Sequence, residues 1–152
     1  MSVPEKGRIA GIDYGTVRIG IAITDAERII ASPYEIRVRS SLKSDADYFR
    51  RFVEENRIVH FVVGLPLHLD GRLSDKAREA MEFGAWLTEI TGLGVDYMDE
   101  RFTSVNANEV LREVKLTAKQ RKKRIDKIAA QMLLMAYLER GCEGTTVYES
   151  ID

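Results

Sequence analysis

The amino-acid sequence predicts an α/β fold in which a mixed five-stranded sheet is flanked by helices. Three strand-like segments come first, and strand-like and helix-like segments then alternate, in the order βββαβαβαα. Strands joined by short turns pair antiparallel, whereas strands separated by a helix pair in parallel, so this order predicts a sheet of both kinds. The segment Ile58–Leu65 (IVHFVVGL) is apolar almost throughout, as expected of a strand buried on both faces.

The first three predicted strands are Gly7–Asp13, Val17–Asp25 and Arg28–Val38. Only Tyr14-Gly15-Thr16 separates the first two, which predicts a hairpin. Pro33 interrupts the third. Because proline cannot donate a hydrogen bond to a central ladder, we expect this strand at an edge of the sheet.

The helices are predicted from the spacing of apolar residues. The first covers Ser44–Arg57 with Ser44 as its candidate N-cap, and the second covers Ser74–Thr91, with Gly92 just past its end. The later predicted elements are a short strand, two helices and a terminal segment that is either a strand or a loose tail: Val95–Met98, Ser104–Val114, Lys119–Arg140 and Thr145–Asp152.

The composition is that of one globular domain, which we expect over residues 1–152 with its core at about residues 7–140. Of the 152 residues, 45% are hydrophobic and 31% are charged. No apolar run reaches the roughly 18 residues that cross a bilayer, and the first residues lack the apolar stretch of a signal peptide. We therefore expect a cytoplasmic protein with no membrane partner. A single cysteine, Cys142, and two histidines exclude an internal disulfide, a cysteine zinc cluster and a histidine-rich metal site.

The charge is unevenly distributed. Seven basic residues and one acid lie between Lys115 and Lys127, so this segment carries +6 and leaves −7 on the rest of a chain whose net charge is −1. This asymmetry indicates either a basic contact surface for nucleic acid or a solvated helix face. The candidate contacts within the segment are Lys119, Lys122, Lys123 and Arg124.

Two acidic residues follow predicted strands. Asp13 ends the first strand, and Glu100 follows the last one, directly after Asp99. Sites in such sheets collect beyond the strand ends. Because side chains alternate between faces, only one of Asp99 and Glu100 should reach the site, and Glu100 has the longer side chain. The alternatives are that Asp13 caps the hairpin turn and that Glu100 belongs to an ordinary connection.

Asp126 is unusual because helical spacing places it in the same row as Ala129, Ala130, Leu133 and Tyr137, a packing face. Burying a carboxylate without a partner is costly, so it needs a metal ion or a basic residue. Three carboxylates can bind Mg²⁺ or Mn²⁺, and one or two ions so held can promote phosphodiester hydrolysis. A salt bridge to a nearby lysine is the alternative.

The loop after the central strand begins at Gly64, which leaves room for Glu100 to lean across the sheet end. His68 and Arg72 in this loop are candidate contacts with the substrate backbone, and Arg101 either contacts phosphate or pairs with an acid. The alternative is a rigid Pro/Gly connection with a polar surface.

Four motifs follow one another along the chain: Gly11-Ile12-Asp13-Tyr14-Gly15-Thr16-Val17-Arg18-Ile19-Gly20-Ile21-Ala22, Val63-Gly64-Leu65-Pro66 with Asp70-Gly71, Asp99-Glu100-Arg101, and Arg124-Ile125-Asp126 with Ala129-Ala130. Together they resemble those of the YqgF/RuvX family, ribonuclease-H-like nucleases related to Holliday-junction resolvases. The resemblance runs from about Arg8 to Glu139 and implies a ribonuclease-H-like fold.

The resemblance also implies a function: maturation of the 5′ end of pre-16S ribosomal RNA, or resolution of Holliday junctions, with Asp13, Glu100 and Asp126 as catalytic, metal-binding acids. The implied partner is structured RNA or branched DNA, bound by a monomer or a homodimer; Arg18 is a further candidate contact. Two departures, His68 in place of the usual Asn and Val17 in place of a common Lys, affect presumed substrate contacts.

Two other classes of protein share features with this sequence. Actin-like ATPases and sugar kinases also have Asp-x-Gly-Thr after a strand, but they resemble two copies of this fold, and this chain has one copy without a second glycine-rich phosphate motif. A binding module without catalysis is the other alternative. It would gain nothing from three carboxylates facing phosphates.

Overall fold

The structure, a computed structural model, describes residues 2–68, 70–102 and 118–145, with the side chains of 102 and 118–127 excepted. The strands are β1 (Arg8–Asp13), β2 (Arg18–Thr24), β3 (Ala31–Val38), β4 (Ile58–Leu65) and β5 (Gly94–Asp99). The helices are α1 (Leu42–Asn56), α2 (Asp75–Thr91) and α3 (Ala118–Glu139), with a 3₁₀ turn at Glu100–Phe102. The predicted helix Ser104–Val114 lies outside the described residues, as do residues 146–152 of the terminal segment.

The five strands form one mixed sheet in the order β3-β2-β1-β4-β5. The first three strands along the chain pair antiparallel, and β4 pairs in parallel with both β1 and β5. This confirms the predicted fold class, and β3, which contains Pro33, is an edge strand as expected. The carboxyl ends of β1, β4 and β5 therefore lie at the same edge of the sheet.

Helices cover both faces of the sheet. On one face α1 and α2 pack over a cluster that includes Ile12, Phe49, Phe61 and Leu87. On the other face α3 packs over a smaller cluster of strand and helix residues: Ile9, Ala22, Val62, Met98, Ala130, Leu133, Leu134 and Tyr137. Each large apolar side chain buried in these layers stabilises the fold by roughly 1.5–3 kcal/mol.

Helix α3 approaches β1 closely because Gly11 has no side chain. A Cβ on Gly11 would lie 3.0 Å from the carbonyl oxygen of Ala130 and 3.1 Å from the Cβ of Leu134. Of the predicted packing row of α3, Ala130, Leu133 and Tyr137 are buried and Ala129 is half-buried, and the side chain of Asp126 lies outside the described residues. The helix thus lies directly on the strand that ends in Asp13.

The ends of α1 and α2 have ordinary caps, and the N-cap predicted for α1 is wrong. The N-cap of α1 is Ser41 and not Ser44, because the Ser41 hydroxyl oxygen accepts a hydrogen bond from the Ser44 N–H at 3.1 Å. Ser74 caps α2 in the same way, accepting from Ala77 N–H at 3.0 Å. Gly92 ends α2 with φ 75°, as predicted.

The outer edge of β5 is also hydrogen-bonded, to the backbone and the side chain of Thr145. Thr145 N–H donates to the Tyr97 carbonyl at 2.7 Å, and the Thr145 hydroxyl oxygen accepts from Asp99 N–H at 3.0 Å. The chain after α3 thus returns to the strand that precedes Glu100. Across the part of the chain that is described, no helix has the length and apolar character needed to cross a membrane.

Candidate active site

A cleft of about 450 Å³ lies at the sheet edge where β1, β4 and β5 end. Parallel strands bring their carboxyl ends together, and open α/β sheets bind ligands there. The cleft is lined by Asp13, Tyr14, Gly15, Thr16, Val17, Arg18, Pro66, Lys76, Glu79 and Glu100. It therefore contains two of the three acids singled out in the sequence, Asp13 and Glu100.

Asp13 and Glu100 are hydrogen-bonded to each other through their side chains. Two carboxyl groups can form such a bond only when one of them keeps its proton. Burial raises the pKa of Glu100 above its usual value, and the nearby Asp99 charge acts in the same direction, whereas the Asp13 hydrogen bond and the charge of Lys76 lower it. Burial and the Asp99 charge therefore favour the protonated form of Glu100 in this cleft.

Gly64 creates the space in which Glu100 reaches Asp13. A Cβ at position 64 would lie 2.5 Å from Oε1 and 2.9 Å from Cγ of Glu100. Strand alternation places Asp13 on the same sheet face as Gly11, the face covered by α3. The expectation that Glu100 leans across the end of the central strand over Gly64 is confirmed.

Asp99 has a different role from Glu100. Its side chain is 1% exposed and accepts hydrogen bonds from Arg101, at 2.9 Å from the backbone N–H and 2.7 Å from Nε. Only Glu100 of the two lines the cleft, in agreement with the predicted alternation. Arg101 pairs with an acid, which is one of the two roles considered for it.

The backbone of Asp126 lies in α3, one helical turn before Ala130, and its side chain lies outside the described residues. The same holds for the candidate contacts Lys119, Lys122, Lys123 and Arg124, which lie in the N-terminal half of α3. Among the side chains that the structure describes, no group of three histidine, cysteine or acidic residues can hold a metal ion. The third ligand predicted by the sequence is Asp126.

Of the other candidate contacts with nucleic acid, Arg18 lines the cleft. His68 and Arg72 lie in an exposed turn, in which His68 N–H donates to the Arg72 carbonyl at 2.9 Å. Arg72 Nε is 2.6 Å from Asp70 Oδ2, so this guanidinium pairs within its own loop. A Cβ on Gly71 would lie 3.8 Å from Arg101 Nη2, which places Arg101 against this loop. His68, Arg72 and Arg101 are not among the residues that line the cleft.

Lys76 and Glu79, in the first turns of α2, line the cleft and were not predicted. Both are exposed polar residues on a helix, the same pattern as any solvated helix face. Their one distinguishing signal is position, since α2 begins shortly after the loop that follows β4. A helix N-terminus at that place directs its first turns toward the site.

Residues 7–140 match the family model of RuvX, described as Holliday junction resolvase. The chain belongs to the RuvX family. A relative from Rhodopirellula baltica, named "Putative pre-16S rRNA nuclease", is 51% identical over 136 residues, covering 90% of this chain and 79% of the relative. A relative of the same name from Koribacter versatilis is 43% identical over 134 residues, covering 88% of each chain.

Solved structures of Holliday junction resolvases share the fold of this RuvX-family chain. RuvC of T. thermophilus in complex with a Holliday junction substrate aligns with a TM-score of 0.55 at 13% identity, covering 90% of this chain and 97% of RuvC. The fowlpox virus resolvase in complex with Holliday junction DNA aligns with a TM-score of 0.53 at 13% identity, covering 90% and 99%. The resemblance to ribonuclease-H-like nucleases drawn from the motifs is confirmed.

Proposed function

We propose that this chain is a divalent-metal-dependent nuclease that hydrolyses phosphodiester bonds and matures the 5′ end of pre-16S ribosomal RNA. Asp13, Glu100 and Asp126 are its catalytic, metal-binding acids. The observation that carries the proposal is the convergence of Asp13 and Glu100, from two different strands, on one cleft at the sheet edge. The matched RuvX family and the relatives named as nucleases support phosphodiester hydrolysis as the reaction. They favour it over the interpretation as an actin-like ATPase or sugar kinase.

The residues present fit a hard cation. Carboxylate oxygens are the ligands that Mg²⁺ and Mn²⁺ prefer, and Gly64 gives the Glu100 carboxylate its place beside Asp13. Two adjacent carboxylates repel when both are ionised, so a cation stabilises the ionised pair that a proton otherwise bridges. One or two bound ions would polarise the phosphate and lower the pKa of the attacking water.

The remaining residues of the cleft bind and orient the substrate. Arg18 and Lys76 line it and supply positive charge for phosphate oxygens. Lys119, Lys122, Lys123 and Arg124 hold the nucleic-acid backbone from the N-terminal half of α3, the helix that also carries Asp126. His68, Arg72 and Arg101 lie outside the cleft, in or against the loop after β4, and contact the substrate beyond it.

The names of the relatives support ribosomal RNA precursor as the substrate. The family description and the shared fold support four-way DNA junctions as the second candidate. A resolvase cuts two strands related by symmetry and so needs a homodimer, whereas an RNA-trimming nuclease can act as a monomer.

Cleavage of a pre-16S RNA fragment and of a four-way DNA junction, assayed side by side with Mg²⁺ or Mn²⁺, tests the proposal. We expect metal-dependent cutting of the RNA, abolished by Asp13→Asn, Glu100→Gln and Asp126→Asn. Glu89→Gln is the matched control, because Glu89 is exposed at the opposite end of α2. Full metal-dependent activity in a folded Asp13→Asn protein would contradict the assignment, and cutting of the junction alone would identify a resolvase.

A further inference from the structure

A second cleft, of about 350 Å³, lies between α1 and the edge strand β3, and none of the described residues that line it lines the first. We call it the α1 cleft. Its lining includes three cations, Arg37, Lys43 and Arg51, and one acid, Asp47. Hydroxyl groups complete the lining: Ser41, Ser44 and Tyr48, the last of which donates its proton to the Glu35 carboxylate and leaves the serines as the hydroxyl donors. Cations combined with hydroxyl donors are the groups that proteins use to bind phosphate.

The exposed charge of the α1 cleft is positive. Residues 37–51 contain five basic and two acidic residues, a local charge of +3 in a chain whose net charge is −1. One acid, Asp45, is 2% exposed and pairs with Arg37 at 3.2 Å. The other, Asp47, lies 3.8 Å from Arg50. Lys43 and Arg51 are both exposed and face the cleft, so they carry its excess charge.

Arg39 lies between the α1 cleft and the first cleft, which contains Asp13 and Glu100 and which we call the carboxylate cleft. Its Nη1 donates to the Tyr14 hydroxyl at 2.8 Å, and its guanidinium lies 5.2 Å from the centre of the Tyr14 ring. Tyr14 lines the carboxylate cleft. Arg39 N–H also donates to the Val17 carbonyl at 2.9 Å, which fixes this residue beside the hairpin that follows Asp13. Positive charge therefore continues from one cleft toward the other around the end of the sheet.

We propose that the α1 cleft binds a backbone phosphate of the nucleic-acid substrate, on a segment away from the bond that is cut. This rests on the proposed function, since it assumes a nucleic-acid substrate at the carboxylate cleft. Phosphate contacts position a substrate without reading its bases. The chain then holds its substrate at two places on the sheet edge, which favours substrates long or folded enough to reach both.

The test compares Lys43→Gln/Arg51→Gln with Lys6→Gln/Arg57→Gln. Both pairs remove two exposed positive charges, and the second lies away from both clefts. The probe is the pre-16S RNA fragment, and its affinity is measured by fluorescence anisotropy over a series of salt concentrations. Removing one charge that binds phosphate flattens the log–log salt dependence by about 0.7–0.9, so the first pair should lower the slope by about 1.4–1.8. The control pair should keep the wild-type slope.

A charge-conserving variant, Lys43→Arg/Arg51→Lys, should bind as the wild type does, because a phosphate contact needs the charge. Equal slopes for the glutamine variant and the control, or a charge-conserving variant as weak as the glutamine variant, would overturn the proposal. Wild-type protein that neither binds nor cuts nucleic acid would instead overturn the proposed function, and this inference with it. The unfolding midpoint of each variant, expected to match that of the wild type, shows that the exposed substitutions leave the fold intact.

Discussion

At the level of single residues, the missing side chain at position 64 determines where the Glu100 carboxylate can lie. Glu100 Oε1 occupies space that any other residue at position 64 would fill with its Cβ. The atoms in the way belong to the end of a flexible side chain and not to backbone, so a substitution would move the carboxylate before it disturbs the sheet. Position 64 therefore affects the geometry of the site far more than the stability of the fold.

We expect Gly64→Ala to reduce the cleavage rate by about 100-fold, the usual effect of a misplacement of about 1 Å. The free energy of unfolding should change by less than about 1 kcal/mol, because alanine is better tolerated than glycine in a strand interior. Single-turnover cleavage and urea unfolding of the same preparation separate these effects. A variant that cuts at the wild-type rate would show that Glu100 does not need its present position.

A second prediction for a single residue follows from the raised pKa of Glu100. Burial raises its pKa in the folded chain above the unfolded value, so the bound proton stabilises the fold. This stabilisation is fully present below the pKa that Glu100 has in the unfolded chain. It is lost as the pH rises through the pKa that Glu100 has in the folded chain. Glu100→Gln resembles the protonated form. In metal-free buffer we expect it to match the wild type near pH 4 and to exceed its stability near pH 8.

Urea unfolding in EDTA at both pH values measures this difference, and Glu89→Gln serves as the matched control because Glu89 is exposed. A Glu100→Gln variant that is less stable than the wild type near pH 8 would mean that the ionised carboxylate is stabilised in the apo protein.

At the level of elements, α3 contains six of the seven basic residues of the segment Lys115–Lys127 together with Asp126. We expect Lys122→Glu/Lys123→Glu to weaken binding at low salt for every nucleic-acid sequence tested, because phosphate contacts do not read bases. The salt slope should fall by about 0.7–0.9 for each phosphate that the variant no longer neutralises. Lys6→Glu/Arg57→Glu is the charge-matched control. If the α3 variant has the affinity and the salt slope of the wild type, the basic segment is only a solvated surface.

The elements also show what the sequence can and cannot predict. Strand β4 has the predicted bounds, since a continuous apolar run ends at Pro66. The start of α1 was misjudged because Leu42 is an exposed apolar residue in its first turn, outside the amphipathic row. Lys76 and Glu79 could not be predicted, because no local pattern distinguishes a polar residue that faces a cleft from one that faces water. The α1 cleft could not be predicted either, for the same reason.

At the level of the whole molecule, the face of the sheet under α3 contains a buried histidine, His60. His60 is fully buried, its ring lies 6.5 Å from that of Tyr137 in a stacked arrangement, and its Nε2 is 3.5 Å from Asp96 Oδ2. Burial lowers the pKa of His60, against the opposing effect of Asp96. The unfolded chain therefore binds a proton at His60 more readily than the folded chain does.

We expect this histidine to destabilise the fold as the pH falls below about 6.5, the ordinary histidine value, because unfolding then takes up a proton. His60→Leu should lose that part of the pH dependence, whereas His68→Leu, at the exposed histidine, should keep it. Thermal unfolding midpoints of the three proteins between pH 8 and about pH 5 provide the comparison. Parallel curves for wild type and His60→Leu would show that His60 does not contribute.

The pairing of Thr145 with the edge of β5 has a practical consequence for handling this protein. Its two hydrogen bonds hold the backbone of Tyr97 and Asp99, immediately before Glu100. Mechanical force on a fusion partner or surface linker attached just after Thr145 would act on β5, the strand that ends directly before Glu100. Strand β1 starts at Arg8 and ends at Asp13 in the cleft, so Arg8 lies at the opposite end of the strand from the cleft. Immobilisation through residues before Arg8 would therefore leave the cleft facing away from the support.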